Sequence, residues 1–332
     1  MTVFASRREV LTGLAGVAAV AGAGSTPARA AGLPFGLGPR SGLPWHSGAS
    51  LSSVNAIAAY RNRLCDTLTM WCRFDTWDTI IDFSKGFKSA KLKPERISCA
   101  IAPLPKICSA VITPGMWSLA ASGAFDFYYE EWARRLAATG RTDVIVRVGW
   151  ESNRKFPWFA GADPYNYILT HRRIVTYLRT YNPTVTIEWC NVKKGNQAGS
   201  VLDLYPGDEY VDIVGVDYYD VGPALNTQAI WDTQYMRLYN GGPWGIGAWL
   251  EFAKSRGKLF ACAEWGIRVG ATPLNVDNAF YIEKMFEFFS NNAAYIAYEN
   301  YFNQKAEHQI APPDVNPMAA AAYLSLWGRP LV

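Results

Sequence analysis

The feature that most constrains this chain is a regular alternation of short apolar runs with amphipathic stretches, continued over most of its 332 residues. Eight runs read as strands: 44–47, 67–74, 96–101, 143–149, 184–189, 211–216, 259–263 and 294–298. Between them, helices are predicted near 53–64, 76–92, 125–138, 163–178, 244–254, 278–289 and 316–326. Ser53 is available to cap the first. Asp163-Pro164 opens another, with a cap followed by the residue best tolerated in a first turn. Strands separated by helices pair in parallel, because each return crossover needs that intervening segment. Eight such units at this length predict an α/β protein, a (β/α)8 TIM barrel forming a single domain over residues 31–332. An open doubly wound sheet satisfies the same alternation. Its usual phosphate-binding loop is missing, however, as neither G-x-G-x-x-G after a strand nor a Walker sequence occurs.

Residues 1–30 have a different character. Ser6-Arg7-Arg8-Glu9-Val10-Leu11 is a twin-arginine pattern, followed by a Gly/Ala-rich apolar stretch over 12–24 and by Ala28-Arg29-Ala30. Charged, apolar and cleavable regions in that order predict an export signal, with the twin-arginine machinery as partner and a periplasmic or secreted mature protein starting near Ala31. The other reading, a membrane anchor, needs a longer and less glycine-rich span. The six cysteines are then in an oxidising setting, where fifteen pairings are open and no C-x-x-C narrows them. Cys72, Cys99, Cys190 and Cys262 fall in strands and read as small buried hydrophobes, while Cys99 and Cys108 are spaced to bridge a loop. Three histidines give no zinc pattern, so no metal and no cofactor are implied. The net charge of +4 falls to +2 without residues 1–30, and the Lys and Arg residues are scattered. That excludes a basic footprint for nucleic acid. Thirteen Trp and eighteen Tyr suit either a barrel core or stacking on sugar rings.

Barrels of this class build their sites at the carboxyl ends of the strands. Two apolar runs end there in glutamate. In VIVRVGWESN (144–153), alternation sends Val144, Val146 and Val148 toward the helices and Arg147, Gly149 and Glu151 toward the axis. A buried Arg147–Glu151 salt bridge is the structural alternative. In LFACAEWGI (259–267), Phe260, Cys262 and Glu264 share the face read as inward, with Ala261 and Ala263 on the other. A helix cap or a solvated loop charge is the alternative for Glu264. Two facing carboxylates suit glycosidic cleavage, in which one protonates the leaving oxygen while the other attacks the anomeric carbon or activates water. Trp45, His46, Trp71 and Arg73, at the ends of strands one and two, read first as structural residues and second as further sugar contacts.

These segments resemble glycoside hydrolase family 26, from strand two to strand eight. RVGWESNRKFPWF matches the family's strand-four motif at Arg147, Glu151, Asn153 and Trp158, with Trp150 where the family has His. YPGDEYVDIVGVDYY, from Tyr205, matches strand six and carries Asp217 and Tyr219; Glu264-Trp265-Gly266 matches the end of strand seven. The resemblance implies a retaining enzyme acting on a β-linked polysaccharide or oligosaccharide, with β-mannan as the leading substrate. Glu264 would be the nucleophile, held by Tyr219, and Glu151 the acid/base, protonated longer because Trp150 or Trp158 walls it off while Arg147 supports its ionised partner. Trp150 departs from the family at the cleavage point and leaves the sugar open. Strand eight ends in AYENYFN without the family's Trp, so Tyr298 or Tyr301 is expected as the stacking platform and Glu299 as an extra polar contact. The alternatives are a transglycosidase or trimming enzyme for the cell's own exopolysaccharide, or a non-catalytic polysaccharide-binding barrel. Retention of both glutamates argues against the last.

Overall fold

The computed structural model describes residues 40–72, 85–104, 114–155, 158–193, 195–196 and 198–329. Residues 1–30, read from the sequence as an export signal, lie outside them, as do Arg73 and Cys108. Eight strands run in chain order: β1 (Ser47–Ser50), β2 (Thr67–Cys72), β3 (Arg96–Ile101), β4 (Ile145–Val148), β5 (Thr186–Val192), β6 (Ile213–Tyr219), β7 (Leu259–Gly266) and β8 (Ile296–Tyr301). Each pairs in parallel with its neighbours in sequence, and β1 closes on β8, so the sheet is a complete barrel rather than an open one. The helices around it are α1 (Val54–Tyr60), α2 (Lys85–Ala90), α3 (Pro114–Ser122), α4 (Asp126–Ala138), α5 (Pro164–Tyr181), α6 (Gln228–Tyr235), α7 (Ile246–Ser255), α8 (Ala279–Asn291) and α9 (Pro317–Trp327). Asp163 caps α5 as the sequence suggests, accepting from the Asn166 amide at 3.2 Å. Ser53 does not cap α1; its hydroxyl pairs with Ser50 Oγ at 2.6 Å instead.

The barrel begins at Ser47, later than expected, because Asp66 ties down the entry segment. Its carboxylate accepts from Ser41 Oγ at 2.6 Å and from the Ser47 amide at 2.9 Å. Alternation then holds around most of the sheet. Trp189 on β5 points outward against Tyr205, Trp249 and Phe252, while Glu188 points to the axis. Gly215 on β6 leaves the room that Glu188 needs, since a Cβ there would stand 2.0 Å from Glu188 Oε1.

Strand β7 departs from simple alternation, and the departure decides where its glutamate goes. Between the pairs Gly215↔Ala261 and Tyr218↔Trp265 the register shifts, so β7 carries one more residue than β6 over the same span. That is a β-bulge, which re-aims side chains beyond it. Before it, Ala261 and Ala263 face the axis with Ile145, Ile213 and Tyr298, while Phe260 packs outward on Phe288. The sequence reading had these faces reversed. After the bulge Glu264 turns inward and Trp265 outward, so the glutamate arrives at the axis through the bulge rather than through unbroken alternation.

Strand β8 runs three residues beyond its expected end, and the expectations for its aromatics and its carboxylate change with it. Tyr298 sits within the barrel, its hydroxyl bonded to Ser98 Oγ at 2.7 Å and Glu188 Oε2 at 2.5 Å, not at a strand end where a sugar stacks. Tyr301 packs outward on Trp265 and Tyr323 and donates to the His308 carbonyl at 2.9 Å. Glu299 is buried in the same outer layer and accepts from three indoles: Trp265 at 2.5 Å, Trp327 at 3.1 Å and Trp45 at 3.3 Å. It holds the α8–α9 side of the barrel and makes no contact with the site. Cys65, Cys72, Cys99, Cys190 and Cys262 are buried thiols, with Cys72 Sγ 3.3 Å from Cys99 Sγ.

Candidate active site

A pocket of about 470 Å³ opens at the carboxyl ends of the strands, and both Glu151 and Glu264 line it. Glu151 gets there by way of a tight turn after β4. Gly149 has φ 64°, in the left-handed region that glycine tolerates, and its Cα stands close enough to Pro103 that a Cβ would lie 3.1 Å from Pro103 Cγ. Glu151 itself has φ 49°, a conformation that costs a residue with a Cβ about 1–3 kcal/mol and tends to persist at functional sites. The carboxyl it delivers is nearly buried. Burial, and then the charge on Glu264, pushes its pKa up to about 7, with the Arg154 guanidinium at 3.1 Å pulling the other way.

Glu264 has the opposite surroundings. Three donors converge on it: Trp71 Nε1 at 2.6 Å and Arg147 Nη1 at 3.0 Å on Oε1, and the Tyr219 hydroxyl at 3.1 Å on Oε2. Arg147 is fully buried. Burial works against its charge, but Asp217, Cys190 and Glu264 outweigh that and hold its pKa well above the ordinary guanidinium value. It therefore pairs with Glu264 and, at 3.5 Å, with Asp217; the alternative Arg147–Glu151 salt bridge does not form. Asp217 is buried beneath the pocket. Burial, and then the Glu264 charge, pushes its pKa up, and its contact with Arg147 is the longer of the two.

The other predicted site residues divide by distance from the cavity. Trp150 lines it, backed by Trp158, whose ring lies 4.3 Å away and whose Nε1 donates to the Trp150 carbonyl at 2.9 Å. Tyr219 also lines it. Asn153 clamps the end of β5 instead: its side chain donates to the Val192 carbonyl and accepts from the Val192 amide, both at 2.9 Å. Trp265 is not a sugar contact. The bulge in β7 turns it into the outer layer, fully buried against Tyr281, Phe289, Tyr301 and Trp327. Tyr298 lies too deep in the barrel to reach the pocket. Trp45 belongs to the outer layer with Phe286 and Phe289. Trp71, by contrast, is a direct partner of Glu264.

Among the pocket residues not singled out in the sequence, Arg154, Lys193 and Phe302 matter most for the chemistry. Arg154 and Lys193 follow the ends of β4 and β5, where the strand-end rule applied to basic residues would have found them. Phe302 follows β8 and stands edge-on to Trp71 and Tyr219, with ring centres at 5.6 and 5.7 Å. It fills the aromatic place expected of a tyrosine.

Residues 128–245 match the model of glycosyl hydrolase family 26, a span that includes the β4 turn, β5 and β6. A mannan endo-1,4-beta-mannosidase of Bifidobacterium adolescentis is 26% identical over 155 residues, covering 44% of this chain and 15% of that much longer protein. Among solved structures, GH26C from Muricauda sp. superposes with a TM-score of 0.61 at 17% identity, covering 86% of each chain. A modular endo-beta-1,4-mannanase from Cellulomonas fimi gives 0.59 at 17% identity, covering 83% of this chain and 66% of its own. A family 26 beta-mannanase from Bacteroides ovatus gives 0.58 at 14% identity, covering 86% and 88%. At these identities the superpositions speak for the fold alone, and the sequence match comes from the family model and the curated relative. This chain is a closed (β/α)8 barrel whose middle is similar to glycosyl hydrolase family 26.

Proposed function

We propose that the protein is an exported retaining glycosidase that cleaves a β-linked polysaccharide, with Glu151 as acid/base and Glu264 as nucleophile. The observation that carries this is two carboxylates in one pocket with opposed environments. Burial keeps the proton on Glu151 into the neutral range, whereas Trp71, Arg147 and Tyr219 all donate to Glu264 and aim it. In a retaining enzyme such a pair performs double displacement. A Glu264 oxygen bonds to the anomeric carbon as the glycosidic C–O bond breaks, and Glu151 gives its proton to the departing oxygen. In the second half Glu151 takes a proton from water, which attacks the same carbon and releases Glu264. The first step helps the second. Once Glu264 is esterified, the negative charge that raised the Glu151 pKa is gone, so Glu151 holds its new negative charge more readily.

β-Mannan is the first substrate to try, because the curated relative is named for that activity. The test is purified protein on mannans, β-glucans, xylans and bacterial exopolysaccharides, read as reducing ends, beside Glu264→Ala. Loss of turnover by several orders of magnitude in the variant is expected. Turnover unchanged in Glu264→Ala would remove Glu264 from the chemistry. Export is tested by fractionating cells that express the full chain: mature protein beginning near Ala31 outside the cytoplasm supports it, and intact protein retained inside refutes it.

A further inference from the structure

Lys193, just beyond β5, lines the pocket yet is only 2% exposed. Its ammonium donates to the Val221 carbonyl at 2.9 Å and lies 4.8 Å over the Tyr218 ring. Among the described residues no carboxylate stands within 4.0 Å of it; Asp220 acts on it only from further away. A lysine kept for packing normally buries its stem and extends its head to water. This one buries its head in a sugar-sized cavity with no counter-ion. That is costly unless something else supplies the negative charge. Its neighbours add to the asymmetry. Arg268 and Lys305 line the same cavity, also with no carboxylate within 4.0 Å among the described residues. Of the three lining carboxylates, Glu264 is paired from beneath by Arg147, Glu151 is paired by Arg154, and Glu307 lies at the rim 3.9 Å from His308.

We propose that the glycan this pocket accepts is acidic, and that Lys193 pairs with the carboxylate of a uronic acid residue. This rests on the reading of the pocket as a glycan site and names the class of sugar. A uronate differs from its neutral parent only at C6, where a carboxylate replaces the hydroxymethyl group. It therefore fits where the neutral sugar fits and adds the charge that Lys193 lacks. Burial pushes the Lys193 pKa down to about 7, and a bound carboxylate would reverse that shift. The indole of Trp150 adds no charge to this pocket, and of its cations Lys193 is the one whose head is buried.

The test uses the mature protein carrying Glu264→Gln, so that ligands bind without being cleaved, and isothermal titration at pH 6. The ligands are β-1,4-linked hexasaccharides of mannose and mannuronic acid, and of glucose and glucuronic acid. In at least one pair the uronate is expected to bind about tenfold tighter or better, a difference of about 1.4 kcal/mol. Methyl esterification of the uronate is expected to abolish the advantage, as is adding Lys193→Gln. The ester arm keeps the test decisive even where the lysine variant folds poorly. Equal affinity within both pairs, or an advantage that survives esterification, overturns the proposal alone. Binding of neither class overturns it together with the glycan-binding reading.

Discussion

Arg154→Met should move the alkaline limb of the pH–rate profile upward. Glu151 must carry a proton in the first step, so kcat/KM falls as pH rises through its pKa of about 7. Arg154 Nη1 stands 3.1 Å from Glu151 Oε2 and is one of the groups holding that value down. Two unit charges at about 4 Å and an effective dielectric constant near 20 interact by about 4 kcal/mol. The Arg154 side chain is 43% exposed, however, and exposed pairs measure about 1 kcal/mol or less. With Glu151 itself buried, about 1–2 kcal/mol is reasonable, which is about one pH unit at 1.36 kcal/mol per unit. The sign is fixed: removing a cation disfavours the carboxylate, so the proton stays on to higher pH. The assay is kcat/KM from pH 4 to 9 on the best substrate of the polysaccharide panel, for wild type and variant side by side. Lys193 titrates in the same range, so the displacement between the two curves is the diagnostic, not the position of either. A limb that stays in place or moves to lower pH would refute the assignment of that limb to Glu151.

Two further outcomes concern the scaffold. Glu299→Leu strands three buried indole N–H groups and should cost about 3–5 kcal/mol in a urea melt, with the pocket intact in the surviving fold; a loss under 1 kcal/mol would show that the indoles find other partners. His171 is buried on α5, and burial holds its pKa down to about 3 against an ordinary 6.5. Below pH 6.5 the unfolded chain takes up a proton that the folded one refuses, so stability is lost as pH falls from 6.5 toward 3, by up to about 4 kcal/mol. His171→Leu should flatten that part of the stability–pH curve, and an unchanged slope would contradict it.

The barrel was legible because its alternation is strong. Seven of the strands overlap the runs read from the sequence, and the eighth starts where its run stops. The misplacements share one physical origin. Periodicity assumes one residue per pleat, and β7 breaks that with an inserted residue, so Phe260, Cys262, Ala261 and Ala263 came out on the wrong faces. Strand ends were short for a similar reason. Apolar patterning fades where β8 carries Glu299 and Asn300, yet both are buried and bonded, so the strand runs on and draws Tyr298 into the barrel. Trp71 was legible only as an aromatic at a strand end; its bond to Glu264 joins residues 193 apart, and no local pattern encodes that. Lys193 is legible as a basic residue at a strand end, but its burial shows only once the surrounding walls are in place.

The central claim, that Glu264 is the nucleophile and Glu151 its acid/base, is tested most directly by trapping. The purified protein is incubated with an activated 2-deoxy-2-fluoro glycoside of the sugar it cleaves, which slows release more than attack, and then digested and examined by mass spectrometry. A single glycosyl adduct on Glu264 is expected, forming more slowly in Glu264→Gln or not at all. An adduct on another residue, or rapid turnover with inverted product and no adduct, would contradict it.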